Sequence, residues 1–142
     1  MADERALARA AERYGAALRE RRRVAEARLA ETAARDARIG EIADEMRFAG
    51  LAAVRAAMES TPEETRARVE RVARRSLELQ RERGARLRAL GLPEDYLYAG
   101  PFCAECGDTG YHDGAMCGCL FPYYTEALTE QFEEKAGRAG QR

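Results

Sequence analysis

Apolar residues recur at helical spacing through the first sixty residues, where the chain contains no proline. The positions that repeat at intervals of three and four are Leu7, Ala11, Tyr14, Leu18, Ile39, Ile42 and Met46. This spacing places apolar side chains on one helix face, as in a coiled coil. The pattern predicts a first helical arm over about residues 3–58, whose stripe is interrupted at Arg21, Arg28 and Arg35.

A second arm begins at a capping signal, Thr61-Pro62-Glu63-Glu64. Thr61 suits the N-cap, proline suits the first helical position, and Glu64 can return the capping bond. Gly91 and Pro93 end the arm, because glycine adopts the left-handed conformation and proline cannot continue a helix. The apolar positions of this arm include Val69, Val72, Leu79, Leu87 and Leu90. We therefore expect an antiparallel helical hairpin over residues 1–91, with its second arm at 62–90.

Unequal arm lengths leave the N-terminal residues without a predicted partner. If 62–90 pairs with about 30–58, an overhang of about 1–29 remains. Large apolar residues are concentrated in the paired part, namely Ile39, Ile42, Met46, Phe48, Leu51, Val54 and Met58. The overhang has a thin stripe, so we expect it to fray, to pack on a partner chain, or to self-associate. A kink is expected near Gly50, because glycine weakens a helix by about 1 kcal/mol.

Four cysteines lie within seventeen residues, at Cys103, Cys106, Cys117 and Cys119, and the rest of the chain has none. Two close pairs separated by a glycine-rich loop supply four thiolates for a tetrahedral metal, and no coordination position remains open. The sequence therefore predicts structural Zn²⁺ at these residues. A disulfide pair, free thiols and an iron–sulfur cluster are the alternatives, and replacement of one cysteine by His112 as a ligand stays open.

The cysteines belong to a small predicted zinc-binding module over 92–121. Asp113-Gly114 is a turn signal, which predicts a β-hairpin within 107–119. Cys117 and Cys119 should point to the same side of an extended segment. A short helix over 122–135 and a disordered tail over 136–142 follow. The predicted fold is mainly α, with a long helical hairpin, a zinc-binding β-hairpin module and a short C-terminal helix. The module and the hairpin are expected to fold independently.

Charge and composition narrow the function classes. Residues 1–90 carry 21 basic against 16 acidic side chains, whereas 91–142 carry 3 basic against 9 acidic. The acidic balance of the second part argues against direct DNA contact by the zinc module. No phosphate-binding glycine loop occurs, and Lys135 is the only lysine. We expect a non-enzymatic, cytoplasmic protein that neither crosses a membrane nor binds ATP.

Three groups of residues resemble the N-terminal region of bacterial and phage replicative helicase loaders of the DnaC/DnaI type, the IstB-like ATP-binding family. Two are the segments Arg38-Ile39-Gly-Glu41-Ile42 and 90–97, Leu-Gly-Leu-Pro-Glu-Asp-Tyr-Leu. The third and most specific is Cys103-x-x-Cys106-x-Asp-Thr-Gly-Tyr, followed by Gly-x-x-Cys117-x-Cys119. The resemblance spans nearly the whole chain and is weaker in 1–60.

The resemblance implies an adaptor that docks on the hexameric replicative helicase, with the four cysteines as zinc ligands. The AAA+ ATPase domain of such loaders does not lie within these residues. The chain is therefore expected to be a fragment or split product of a longer loader, or a stand-alone adaptor that binds the helicase without the nucleotide switch. An ATPase domain supplied in trans is a further candidate partner. The alternative function is a stand-alone nucleic-acid-binding zinc-hairpin and coiled-coil protein, in which the zinc hairpin or the Arg-rich overhang contacts phosphates. For the adaptor itself, only weak or indirect nucleic-acid contacts are expected. A DnaJ-type chaperone module is a third alternative, although only one imperfect repeat unit is present.

Overall fold

The structure is a computed structural model that describes residues 2–140 of the 142-residue chain. Its elements are α1 (Glu4–Arg35), α2 (Ala37–Glu59), α3 (Pro62–Ala89), β1 (Tyr111–His112), β2 (Ala115–Met116) and α4 (Phe121–Gly140). The two strands pair antiparallel, with Tyr111 opposite Met116. The predicted fold class is confirmed: the protein is mainly helical, with a helical hairpin, a small cysteine-bearing β-hairpin and a C-terminal helix.

The chain divides into two compact units. The helical unit is Ala25–Tyr98, and the second unit joins the residues up to Val24 with those from Ala99 onward. The predicted boundaries, 1–91 and 92–121, differ from this division. The segment after α3 belongs to the helical unit because Leu97 is buried with Ile39 of α2 and Leu87 of α3.

The predicted first arm over 3–58 is two helices, and the break lies at Asp36 instead of near Gly50. Asp36 has extended backbone angles, φ −145° and ψ 101°, and its carboxylate accepts the N–H of Arg38 as the N-cap of α2. Aspartate favours this role because its side chain competes with the helical backbone bonds. The guanidinium of Arg86 also donates to Asp36 at 2.9 and 3.0 Å, so α3 holds the break in place. Gly50 lies within an uninterrupted α2.

The second arm is capped at both ends by the predicted residues. Thr61 accepts the N–H of Glu64, and the Glu64 carboxylate accepts the N–H of Thr61, which completes a capping box. At the other end Gly91 has φ +79°. Its N–H bonds to the carbonyl of Arg88, and the N–H of Leu92 bonds to that of Leu87. These two bonds form a Schellman motif, which satisfies carbonyls that the helix end leaves free.

Ion pairs join α2 to α3 near the end of the hairpin that carries the break. The Arg38 guanidinium donates to Glu82 at 2.6 and 3.0 Å, and Arg75 donates to Glu45 at 2.8 Å. The hydrogen bond from Arg38 lowers the pKa of Glu82 to about 2. These pairs fix the register of the two helices, although each is too exposed to add much stability by itself.

The large apolar residues of the second half of α2 do not face α3, contrary to expectation. Phe48, Leu51, Val54 and Met58 are all more than 60 % exposed. Ala56, in contrast, is buried. In this half of α2, the buried position on the side of α3 is therefore an alanine. The predicted crowding of large side chains applies to Ile39 and Ile42, which are fully buried.

The C-terminal helix is longer than predicted. α4 runs from Phe121 to Gly140, so the predicted helix over 122–135 extends through most of the region expected to be a disordered tail. Residues 141 and 142 of that tail lie outside the described residues. Within residues 2–140, no helix is both long enough and apolar enough to cross a bilayer.

Candidate metal centre

The N-terminal half of α1 packs against the cysteine module, defined here as residues 99–120. Ala10, Tyr14 and Leu18 form a buried cluster with Leu120. The predicted overhang of 1–29 therefore finds a partner within its own chain, which corrects the expectation that no segment of this chain pairs with it. Its thin stripe suffices because the module supplies the opposing apolar surface.

Side chains of α4 add further contacts to the same half of α1. The Tyr14 ring meets that of Tyr123 edge-to-face at 5.8 Å. Arg13 donates to both carboxylate oxygens of Glu130, at 2.9 and 2.6 Å. Arg9 pairs with Glu134 at 3.1 Å. The polar side of α1 is therefore matched to the acidic side chains of α4.

Asp108 and Gly110 shape the loop that carries the first cysteine pair. The Asp108 carboxylate accepts the N–H of Phe102 at 2.9 and 3.0 Å and the N–H of Cys103 at 2.9 Å. Gly110 has φ +84°, and a Cβ atom there would lie 3.0 Å from the Leu120 side chain. A larger residue at 110 would therefore be strained in its backbone and crowded against the core.

The second cysteine pair follows a tight β-hairpin. Asp113 and Gly114 have φ values of +52° and +75°, as a two-residue type I′ turn requires. The predicted hairpin and its turn are thus present. Cys117 and Cys119 do not lie on an extended segment, because the N–H groups of Leu120 and Phe121 bond to the Cys117 carbonyl and turn the chain into α4. The turn, not strand alternation, brings the two side chains to one side.

All four predicted cysteines come together. Their Sγ atoms lie within 4.8 Å of one another. The Cys103–Cys117 and Cys106–Cys119 sulfurs are 3.7 and 3.4 Å apart. A tetrahedral site with metal–sulfur bonds of about 2.3 Å has sulfur–sulfur edges of about 3.8 Å. No disulfide joins any two of the four cysteines. The residues present fit a four-coordinate metal ion.

The environment favours one thiolate before any metal binds. Burial raises the pKa of the Cys119 thiol to about 12. Burial also acts on Cys106, but the Gly110 N–H, 3.4 Å from its sulfur, and the neighbouring Cys119 and Tyr14 groups stabilise the thiolate and lower its pKa to about 6. A bound metal requires four thiolates, so binding releases protons and strengthens as pH rises.

Tyr14 is the site residue that sequence reasoning missed. Its hydroxyl lies 3.2 Å from Cys119 Sγ and 3.8 Å from Cys106 Sγ. Burial and the adjacent thiols raise the pKa of Tyr14, so its hydroxyl keeps its proton and can donate to a thiolate. In the sequence, Tyr14 is marked only by its place on the apolar stripe of the first arm. That position does not indicate a contact with Cys106, which lies 92 residues later in the chain.

Replacing Tyr14 by phenylalanine is expected to weaken metal binding about 10- to 100-fold, the usual cost of losing a hydrogen bond to a ligand. The ring and its packing on Tyr123 remain, so the helical content should not change. Competition with a chromophoric chelator measures the affinity. Tyr123→Phe is the matched control, and equal affinities of the wild type and Tyr14→Phe would show that the hydroxyl does not support the ligands.

His112 lies beside the cluster. Its Nε2 is 3.8 Å from a Glu105 carboxylate oxygen, and its Nδ1 is 3.5 Å from that of Asp113. Glu105, His112 and Cys117 form a second grouping of potential ligand atoms. His112 is nevertheless exposed at the strand end, and the four sulfurs already complete a tetrahedral set without it.

No family model, no curated protein and no solved structure matches this chain.

Proposed function

We propose that the chain is a non-enzymatic, zinc-stabilised adaptor that docks on a replicative helicase, as the N-terminal region of DnaC/DnaI-type loaders does. The observation that carries this proposal is the way the resembling motif builds the metal centre. The spacing Cys-x-x-Cys-x-Asp-Thr-Gly and Cys-x-Cys supplies the four clustered sulfurs, and Asp108 and Gly110 of the same motif hold the loop.

Zinc is the metal that this donor set favours. Four thiolates with no open position suit a structural zinc site, which takes no redox or hydrolytic role. The ion would be held by Cys103, Cys106, Cys117 and Cys119, and it would fix the module against Tyr14 and Leu18 of α1. Elemental analysis should find one zinc ion per chain. Metal-free protein with all thiols oxidised in pairs would contradict this assignment.

Binding to the replicative helicase of the source organism tests the adaptor role. The zinc-loaded chain should co-elute with the helicase hexamer in size-exclusion chromatography with light scattering, without added nucleotide. The absence of a complex at micromolar concentrations of an intact, zinc-loaded chain would overturn the helicase proposal. An ATPase domain supplied in trans can be added in a second run to measure whether it strengthens the complex.

Nucleic-acid binding is the competing function, and the salt dependence of binding separates the two. Fluorescence anisotropy with labelled single- and double-stranded DNA should show that the chain binds DNA only weakly. Added DNA should leave the complex with the helicase unchanged. Tight DNA binding whose affinity falls steeply with salt would favour the competing function. Proteins that contact DNA phosphates release counterions from the DNA, and this release makes their affinity depend strongly on salt.

A further inference from the structure

We propose that the outward face of the second half of α2 is the docking surface, and that its occupant is an acidic amphipathic helix of a partner protein. The inference deepens the adaptor role and rests on it for the existence of a partner. The choice of surface and of occupant rests on the burial and charge of the α2–α3 hairpin. We call Phe48, Leu51, Val54 and Met58 the apolar strip.

The four side chains of the apolar strip are exposed to solvent. Its four side chains are 65, 62, 64 and 84 % exposed, and their 3-3-4 spacing places them along one side of α2. The opposite side of α2, at Ala56, is buried. Together the four residues expose on the order of 500 Å², which is the size of the largest apolar patch on a typical soluble monomer, and such patches are often functional.

Arginines border the apolar strip without carboxylate partners. Towards the break at Asp36, Arg38 and Arg75 pair with Glu82 and Glu45. Beside the strip, Arg55 and Arg68 have no ion pair with any carboxylate in residues 2–140. Arg55 and Arg68 line one groove with the strip residues, and Glu59 is the acidic side chain of that groove. Arg68 and Arg71 line the adjoining groove with Ala52, Ala53, Ala56 and Val72.

This combination selects the occupant. A second copy of the chain would present the same arginines to each other, because a two-fold interface uses one patch twice, and like charges disfavour that pairing. A DNA backbone would match the arginines but would leave the four large apolar side chains uncovered. A helix with apolar anchors and acidic flanks satisfies both features, in the helix-in-groove mode of recognition.

Two synthetic 21-residue helical peptides test the chemistry of the surface. Both carry leucine at heptad positions a and d, and the flanking positions are glutamate in one and lysine in the other. In fluorescence anisotropy with the zinc-loaded chain, the acidic peptide should bind at least about tenfold more tightly, and added salt should reduce the difference.

Matched variants locate the surface. Leu51→Ser/Val54→Ser should weaken binding of the acidic peptide by at least about tenfold, because these residues lie at the centre of the strip. Val69→Ser/Leu77→Ser, at half-exposed positions of α3, should bind as the wild type does. All four positions are exposed, so circular dichroism should show unchanged helicity in both variants.

Several outcomes would overturn the inference. Equal binding of the two peptides would show that the surface does not select an acidic partner. Full binding of the acidic peptide by Leu51→Ser/Val54→Ser would show that the peptide does not bind at the apolar strip. Displacement of the acidic peptide by anionic lipid vesicles or by DNA would also overturn the inference. Dimerisation that depends on the apolar strip, measured by analytical ultracentrifugation, would do the same. Helicase binding that persists in Leu51→Ser/Val54→Ser would overturn this surface while leaving the adaptor role intact. Acidic-peptide binding without any helicase binding would overturn the helicase alone.

Discussion

Replacing Cys106 by serine is expected to release the metal, to unfold residues 99–120 and to detach the N-terminal half of α1. Cys106 is a buried member of the sulfur cluster, and its Sγ accepts the Gly110 N–H and lies beside the Tyr14 hydroxyl. In small metal domains the free energy of metal binding, about 10–16 kcal/mol in zinc-finger peptides, is also the free energy of folding. The metal affinity should fall by more than about 100-fold, which is more than the usual cost of losing a residue that hydrogen-bonds to a ligand.

Chelator competition gives the affinity, and limited proteolysis reports the structure. Ala104→Ser is the matched control, because it introduces the same hydroxyl at an exposed position between the first two cysteines. In Cys106→Ser, cleavage should appear at arginines such as Arg13 and Arg19 and spare the α2–α3 hairpin. Protection of Arg13 in the metal-free variant would show that α1 packs on the module without help from the metal.

Replacing Ile39 by alanine is expected to destabilise the helical unit by about 3 kcal/mol. Ile39 is fully buried against Leu87 and Leu97, and truncation of a buried isoleucine removes transfer free energy and leaves a cavity. For a unit of this size each kcal/mol lowers the melting temperature by about 4–8 °C, so the midpoint should fall by more than about 10 °C. Thermal and urea unfolding followed by circular dichroism measure both quantities.

Val54→Ala on the same helix is the control for the Ile39 variant. Val54 is 64 % exposed, so its truncation should change the free energy of unfolding by less than about 0.5 kcal/mol. Equal destabilisation by the two substitutions would show that the apolar strip is packed in solution, which would contradict the burial pattern described here.

Local sequence signals predicted the elements whose causes are local. The capping box at Thr61, the left-handed Gly91 and the Asp113-Gly114 turn all lie where the residues indicated. Each depends on interactions within a few residues, so the sequence carries nearly all the information. The four clustered cysteines were found in the same way, because their spacing restricts the geometry that their sulfurs can adopt.

The sequence pattern predicts a kink near Gly50 and not the break at Asp36, because the low helix propensity of glycine is a more obvious signal than an aspartate that can act as an N-cap. Gly50 costs the helix only about 1 kcal/mol, whereas Asp36 gains an N-cap bond and an ion pair with Arg86. The second of these comes from 50 residues away and has no local signal.

By itself, the sequence determined a helical hairpin, a cysteine cluster suited to a metal ion, and a β-hairpin turn at Asp113-Gly114 between the two cysteine pairs. These follow from backbone preferences and ligand spacing, which act over short separations along the chain. Only the tertiary structure decided that Tyr14 reaches the sulfurs, that α1 is covered, and that Phe48, Leu51, Val54 and Met58 face outward. Helical periodicity identifies an apolar face but not the surface that covers it, because that choice depends on which distant segments bury the most area together.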